Sequence, residues 1–223
     1  MIIVHHLNNS RSQRILWLLE ELGVPYEVVR YERDPATMRG PDALQRIHPL
    51  GKSPVITENG QTIAESGAIV EYLLETHGQG RLIPPAGTPD RQRYRYWLHY
   101  AEGSAMPLLL LKLVFMRMPQ GPMPFFARPI ARAISKKGQA MLVDRQLKTH
   151  MDYWEAELSR SDWFAGPEMT GADIQMSFPL EAATARGGVA GPHPKIKAFL
   201  DRIHARPAYQ RALKVGGPYE MLK

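Results

Sequence analysis

Residues 53–77, SPVITENGQTIAESGAIVEYLLETH, constrain the fold more tightly than any other stretch, because a proline, a hairpin and a helix start follow one another without a gap. Pro54 has no backbone N–H to give to a ladder, so it belongs at the first residue of an edge strand or in a tight turn open to the cis form. Val55–Glu58 reads as a short strand, Asn59-Gly60 as the dipeptide of a type I′ turn, and Gln61–Ala64 as the returning strand. Glu65-Ser66 closes the hairpin and opens a helix in which Ile69, Tyr72 and Leu73 recur at helical spacing, with Ser66 as the expected N-cap and Gly78 as the stop. Free N–H groups and a hydroxyl at a helix start attract an anion, and an acidic residue just before it can hold an ammonium. An α-amino acid carries both charges.

The remainder of the chain divides in two. Ile2–Leu7 is a β-branched run expected as a buried strand, with His5 and His6 as structural rather than metal-binding histidines. The polar loop Asn8-Asn9-Ser10 leads into a helix marked by Ile15, Leu18, Leu19 and Leu22 and ended at Gly23, and Tyr26–Tyr31 is the next strand. Strand, helix, strand predicts a right-handed βαβ unit. A short helix near Asp42–Ile47 completes the order β-α-β-α-β-β-α. Glycines and prolines crowd residues 78–89, as in a linker, and β signals vanish beyond it.

After the linker, Asp90 is the expected cap of a long helix with Tyr94, Trp97, Leu98 and Ala101 on one face, bent near Gly103 and Pro107. Prolines at 119–124 interrupt it. A second long helix is expected from about Phe125 to Leu158, with Pro129 in its first turn. Thr170-Gly171-Ala172-Asp173 has the form of a capping box, a folding device rather than a catalytic one. Gly187-Gly188 and Gly191-Pro192 predict a turn, and two last helices break at Arg206-Pro207. The fold class is therefore an α/β N-terminal domain of thioredoxin-like order, residues 1–80, a linker at 81–89, and an all-α domain at 90–223.

Composition narrows the chemistry. With no cysteine the chain has no disulfide and no thiol nucleophile, so sulfur chemistry must come from a bound small molecule. The formal net charge is +6, yet the basic residues look scattered, with only Lys136-Lys137 as a hint of clustering, which reads as solvated surface rather than a nucleic-acid face. The apolar block around residues 108–116 is too short to span a bilayer, and the start of the chain lacks a signal-peptide pattern, so a cytoplasmic location is expected. No spaced set of metal ligands is evident.

The hairpin followed by Glu-Ser at a helix start, the approach His48-Pro49-Leu50-Gly51-Lys52-Ser53-Pro54, and the tail PKIKAFLDRIHARPAY together resemble the glutathione transferase superfamily over essentially the whole chain. The resemblance implies a cis peptide at Pro54, with the Ser53 backbone on the cysteinyl part of glutathione. It places Lys52 on a glutathione carboxylate and Glu65 and Ser66 on the γ-glutamyl end. The thiolate is then stabilised by a donor between the first strand and first helix. That loop offers neither tyrosine nor cysteine, so Ser10 is the expected donor, with Ser12 and Asn9 as fallbacks; Ser10-x-x-Gln13 also has the form of a helix cap. The resemblance further implies an electrophile site between the domains, around Tyr96, Tyr100 and Met106, and a homodimer. The Met-rich segment 116–123 reads equally as an adaptable lid or as core. Two other activities remain open from sequence, a glutathione-dependent disulfide or peroxide reductase and a non-catalytic binding module, and retention of Lys52, Glu65 and Ser66 speaks against the latter.

Overall fold

In the computed structural model, which describes residues 1–35, 37–186 and 192–222, strand β1 (Ile2–Leu7) lies inside a four-stranded sheet. It pairs in parallel with β2 (Tyr26–Tyr31) and antiparallel with β3 (Val55–Glu58), which pairs antiparallel with β4 (Gln61–Ala64). The parallel pair needs a crossover, supplied by α1 (Ser12–Leu22), whose Ile15, Leu16, Leu18 and Leu19 are fully buried. Its end at Gly23, φ 67°, is the left-handed C-cap that glycine adopts without a Cβ clash. The hairpin turns on Asn59 and Gly60 with φ of 50° and 79°, the two positive angles that a type I′ turn requires. A short α2 (Asp42–Ile47) leads towards β3, and α3 (Ser66–His77) follows β4 and packs beside α1. This is the order expected for a thioredoxin-like unit.

Helices make up the rest: α4 (Pro89–Tyr100), a π turn at Ala101–Ala105, α5 (Met106–Arg117), α6 (Arg128–Gln139), a second π turn at Ala140–Asp144, α7 (Arg145–Arg160), α8 (Gly171–Ala185), α9 (Pro194–His204) and α10 (Pro207–Gly216). Every residue of α8 from Gly171 to Ala183 is buried, the environment that an all-round helix surface demands, and it packs on α1, α3 and α4. Trp97 anchors the helical core, with the Phe164 ring 4.6 Å and the Tyr153 ring 5.2 Å from it, centroid to centroid.

Several local expectations shift. Helix α3 has Glu65, not Ser66, at its N-cap position, with no side-chain cap bond. Helix α4 is capped by Thr88, whose hydroxyl accepts from Arg91 N; Asp90 lies in its first turn. The expected single helix over 125–158 is a 3₁₀ turn followed by α6 and α7 joined through a π turn. The box at Ser10 and Gln13 does not form, because Ser10 Oγ accepts from Ser12 N at 3.2 Å and Gln13 Nε2 is buried without a partner among the described residues. The predicted turn at Gly187-Gly188 and Gly191 falls outside the described residues.

The capping box at Thr170 is present and does more than cap. Asp173, fully buried, accepts from Thr170 N and from Phe164 N, each at 2.8 Å, so it also fastens the loop before α8. Burial pushes its pKa up to about 6 despite these bonds. Asp173→Ala strands two buried donors at roughly 1–3 kcal/mol each and is expected to lower stability in urea by about 3 kcal/mol, with glutathione affinity of the folded fraction unchanged. A selective loss of affinity at full stability would move Asp173 out of this structural role.

Candidate active site

The loop after α2 and the hairpin end meet across one cleft. His48, Leu50, Lys52, Ser53 and Pro54 border it on one side, and Ala64, Glu65 and Ser66 on the other. The Ser53–Pro54 peptide is cis. Ser53 fixes its own side chain to β1, donating to His5 O at 2.8 Å and accepting from Leu7 N at 3.3 Å, and the cis peptide lies along the cleft wall. Glu65 has φ 73°, a left-handed conformation that costs a non-glycine residue of order 1–3 kcal/mol and is typical of positions held for a purpose. Directly after it, Ser66, the first residue of α3, borders the cleft, and a helix start of this kind is a ready anion site.

Two further residues border the cleft that sequence reasoning missed, Arg11 and Glu102. The π turn at Ala101–Ala105 carries Glu102 to the start of α1, where its carboxylate lies 3.1 Å from Arg11 Nε and pairs with Arg14. Arg14 is fully buried; it also donates to Ser66 Oγ at 3.2 Å and to the carbonyl of Gln175. Burial pulls the Arg14 pKa down and the Glu102 charge opposes that. The bend expected at Gly103 and Pro107 is the sequence feature that corresponds to the π turn's departure from α geometry.

All five residues expected to hold glutathione, Lys52, Ser53, Pro54, Glu65 and Ser66, are thus brought together on one cleft. The loop residues are placed differently. Ser10 and Ser12 are buried, and their hydroxyls form a chain, Ser10 Oγ to Ser12 Oγ at 2.7 Å and Ser12 Oγ to His6 Nδ1 at 2.9 Å. Asn9, with φ 49°, accepts from Glu220 N at 2.9 Å, and its amide nitrogen has no partner among the described residues. The electrophile residues do not border this cleft. Tyr100 and Met106 are buried in the helical core, the Tyr100 hydroxyl bonded to His150 and accepting from Trp154 Nε1 at 3.0 Å, and only Tyr96 is exposed. A wider groove between α1, β2 and α10 is shallow, and its two charged residues, Glu20 and Arg211, pair with each other at 2.6 Å.

Comparison with known proteins identifies the family and the fold. Residues 1–75 match the model of the glutathione S-transferase N-terminal domain, and residues 109–207 that of the C-terminal domain. Glutathione S-transferase 3 of Schizosaccharomyces pombe is 36% identical over 208 residues, covering 93% of this chain and 85% of that protein. Glutathione S-transferase 1 of Saccharomyces cerevisiae is 34% identical over 217 residues, covering 94% and 92%. Among solved structures, a glutathione S-transferase from Actinobacillus pleuropneumoniae superposes with a TM-score of 0.80 at 29% identity, covering 100% of this chain and 96% of that one. A sphingomonad enzyme solved with glutathione shares the fold, with a TM-score of 0.74 at 23% identity over 96% of this chain and 98% of that one. The chain belongs to the glutathione S-transferase superfamily. It is a glutathione transferase with glutathione as co-substrate, and no cluster of three or more metal-ligating side chains occurs among the described residues.

His6 gives this loop a measurable signature. Burial lowers its pKa to about 4, Arg30 adds to that, and the Gly216 backbone works against it. The folded state keeps His6 neutral while the unfolded chain protonates it below about pH 6.5, so its stabilisation is complete above that pH and is lost as pH falls towards 4. At about 1.4 kcal/mol per pH unit the loss is of order 2–3 kcal/mol. His6→Asn is expected to flatten that part of the acid limb in urea titrations; an unchanged limb would assign the acid sensitivity to other groups.

Proposed function

We propose that this transferase conjugates the thiol of glutathione to apolar electrophiles, with the γ-glutamyl ammonium on Glu65 and its carboxylate on Ser66 and the α3 N-terminus. Lys52 meets the glycyl carboxylate, and the Ser53 backbone pairs with the cysteinyl unit. The observation that carries this reading is the convergence of these residues, from two separate segments, on one cleft. Residues 1–80 then act as the glutathione-binding unit and 90–223 as the unit that presents the electrophile, in a cytoplasmic homodimer.

A cysteine-type thiol has a free pKa near 8.5 and is mostly protonated at pH 7, so rate depends on stabilising its anion. Ser10 is the proposed donor. Its oxygen already accepts from Ser12 N, and its proton is free for the sulfur when Ser12 donates to Ser10 and accepts from His6 Nδ1–H. The opposite polarity, Ser10 to Ser12 to His6, consumes that proton. The unpartnered Asn9 amide favours a second reading in which Asn9 donates instead.

Two measurements test this. Glu65→Gln removes a charge-assisted contact worth roughly 1.5–3 kcal/mol, so calorimetric titration should show glutathione binding weakened about ten-fold or more. Unchanged affinity would leave Glu65 a purely conformational residue. Thiolate absorbance against pH should show the bound thiol pKa rising by about 1 in Ser10→Ala, near 1.4 kcal/mol, and unmoved in Asn9→Ala. The reverse pattern would transfer the donor role to Asn9, and no change in either would end the hydroxyl-or-amide account.

A further inference from the structure

Between Glu102 and Asp144 the chain contains no carboxylate, and the six cations there, Lys112, Arg117, Arg128, Arg132, Lys136 and Lys137, equal its entire formal net charge of +6. The other Lys and Arg are matched one for one by the 22 Asp and Glu. The cations are scattered along the sequence; what is concentrated is the absence of acids. Lys112 is buried and paired with Asp144 at 3.1 Å, but the other five are exposed and no carboxylate pairs with them among the described residues.

The same hairpin carries most of the exposed large apolar side chains. Phe125 is 83% exposed and Phe126 67%, at the turn between α5 and α6, followed by Ile130, Ile134 and Met141 at 56–69%. Helix α6 docks on α5 through its inner row: Ser135 Oγ donates to Phe115 O at 2.6 Å, and a Cβ at Gly138 would stand 2.5 Å from the Phe115 ring. Ile130 and Ile134, one helical turn apart, flank that row on one side, and Arg128, Arg132 and Lys136 on the other. The helix is amphipathic twice over, and its outer half covers nothing.

We propose that this hairpin docks the enzyme on anionic lipid surfaces, with Phe125 and Phe126 at the head of an apolar row entering the interface and the five cations meeting headgroups. Apolar side chains beside cations are the pattern of interfacial helices, and each cation near an anionic leaflet adds about five-fold in binding. A second copy seated on the same face would oppose these five charges with their own kind. Nucleic acid would satisfy the cations and leave Ile130, Ile134 and Met141 without a partner. No helix among the described residues is long and apolar enough to cross a membrane, so the contact is with the surface.

Sedimentation of the full chain with vesicles tests this, using phosphatidylcholine with and without phosphatidylglycerol, at low and high salt. Binding is expected only with phosphatidylglycerol, falling with salt. Binding should weaken at least ten-fold in F125S/F126S and in R128Q/R132Q/K136Q/K137Q. Both variants should keep the wild-type circular dichroism and glutathione affinity, since every altered side chain is exposed and outside the cleft. The proposal is overturned by failure to sediment, by equal binding to phosphatidylcholine alone, or by retention of an RNA oligonucleotide while vesicles are ignored. Self-association that F125S/F126S abolishes, without vesicle binding, would overturn it equally.

Discussion

A buried guanidinium holds the two halves of this enzyme together. Arg14 projects from α1 into a space with no water to solvate it, and a charge so placed is tolerated only when paired and hydrogen-bonded. Each partner comes from a different part of the chain: the Ser66 hydroxyl from the start of α3, the Gln175 carbonyl from α8, and the Glu102 carboxylate from the π turn after α4. The Phe178 ring lies 5.7 Å from the same group, another contact with α8. Ser66 is therefore tied, through Arg14, to the packing of α8 against α1 and α3. Satisfaction is not complete, since Arg14 Nε and both amide atoms of the neighbouring Gln175 lack partners among the described residues, an uncommon density of unpaired buried polar atoms beside a cleft.

What could be read from sequence and what could not differ by the distance between partners. The β3–β4 hairpin and the box at Thr170 were legible because turn and cap chemistry involve residues within a few positions of each other, whereas the cis form of Pro54 came from the resemblance. The strand order β2-β1-β3-β4 was not legible, because the antiparallel pairing of β1 with β3 joins residues far apart in the chain, such as His5 and Val55. Glu102 was invisible, since nothing near it announces a partner in α1, more than eighty positions earlier. Tyr100 was assigned to an electrophile site by resemblance alone, and no local pattern could show that its hydroxyl is engaged with His150 and Trp154, fifty or so residues away. Local pattern picked out Ser10 in the loop before α1 but could not show that its oxygen is engaged with Ser12. A charge balance is a property of a segment and not of a motif, so the acid-free hairpin escaped a reading that searched for runs of lysine.

The π turn at Ala101–Ala105 also fixes the length of the chain in this region. A π turn accommodates an extra residue inside an otherwise α-helical run, so removing any one of its five would let α4 and α5 fuse into one regular helix. The five residues of the turn cover about the rotation and rise of four α-helical ones, so every residue beyond the deletion would keep close to its present phase and position. Leu109, fully buried, would stay on its packing row, while the bulge that lifts Glu102 towards Arg11 and Arg14 would cease to exist. Point substitutions in this pentapeptide act on single contacts, whereas loss of one residue would straighten the helix without turning its far end, and would reach the cleft by withdrawing Glu102 from two arginines at once.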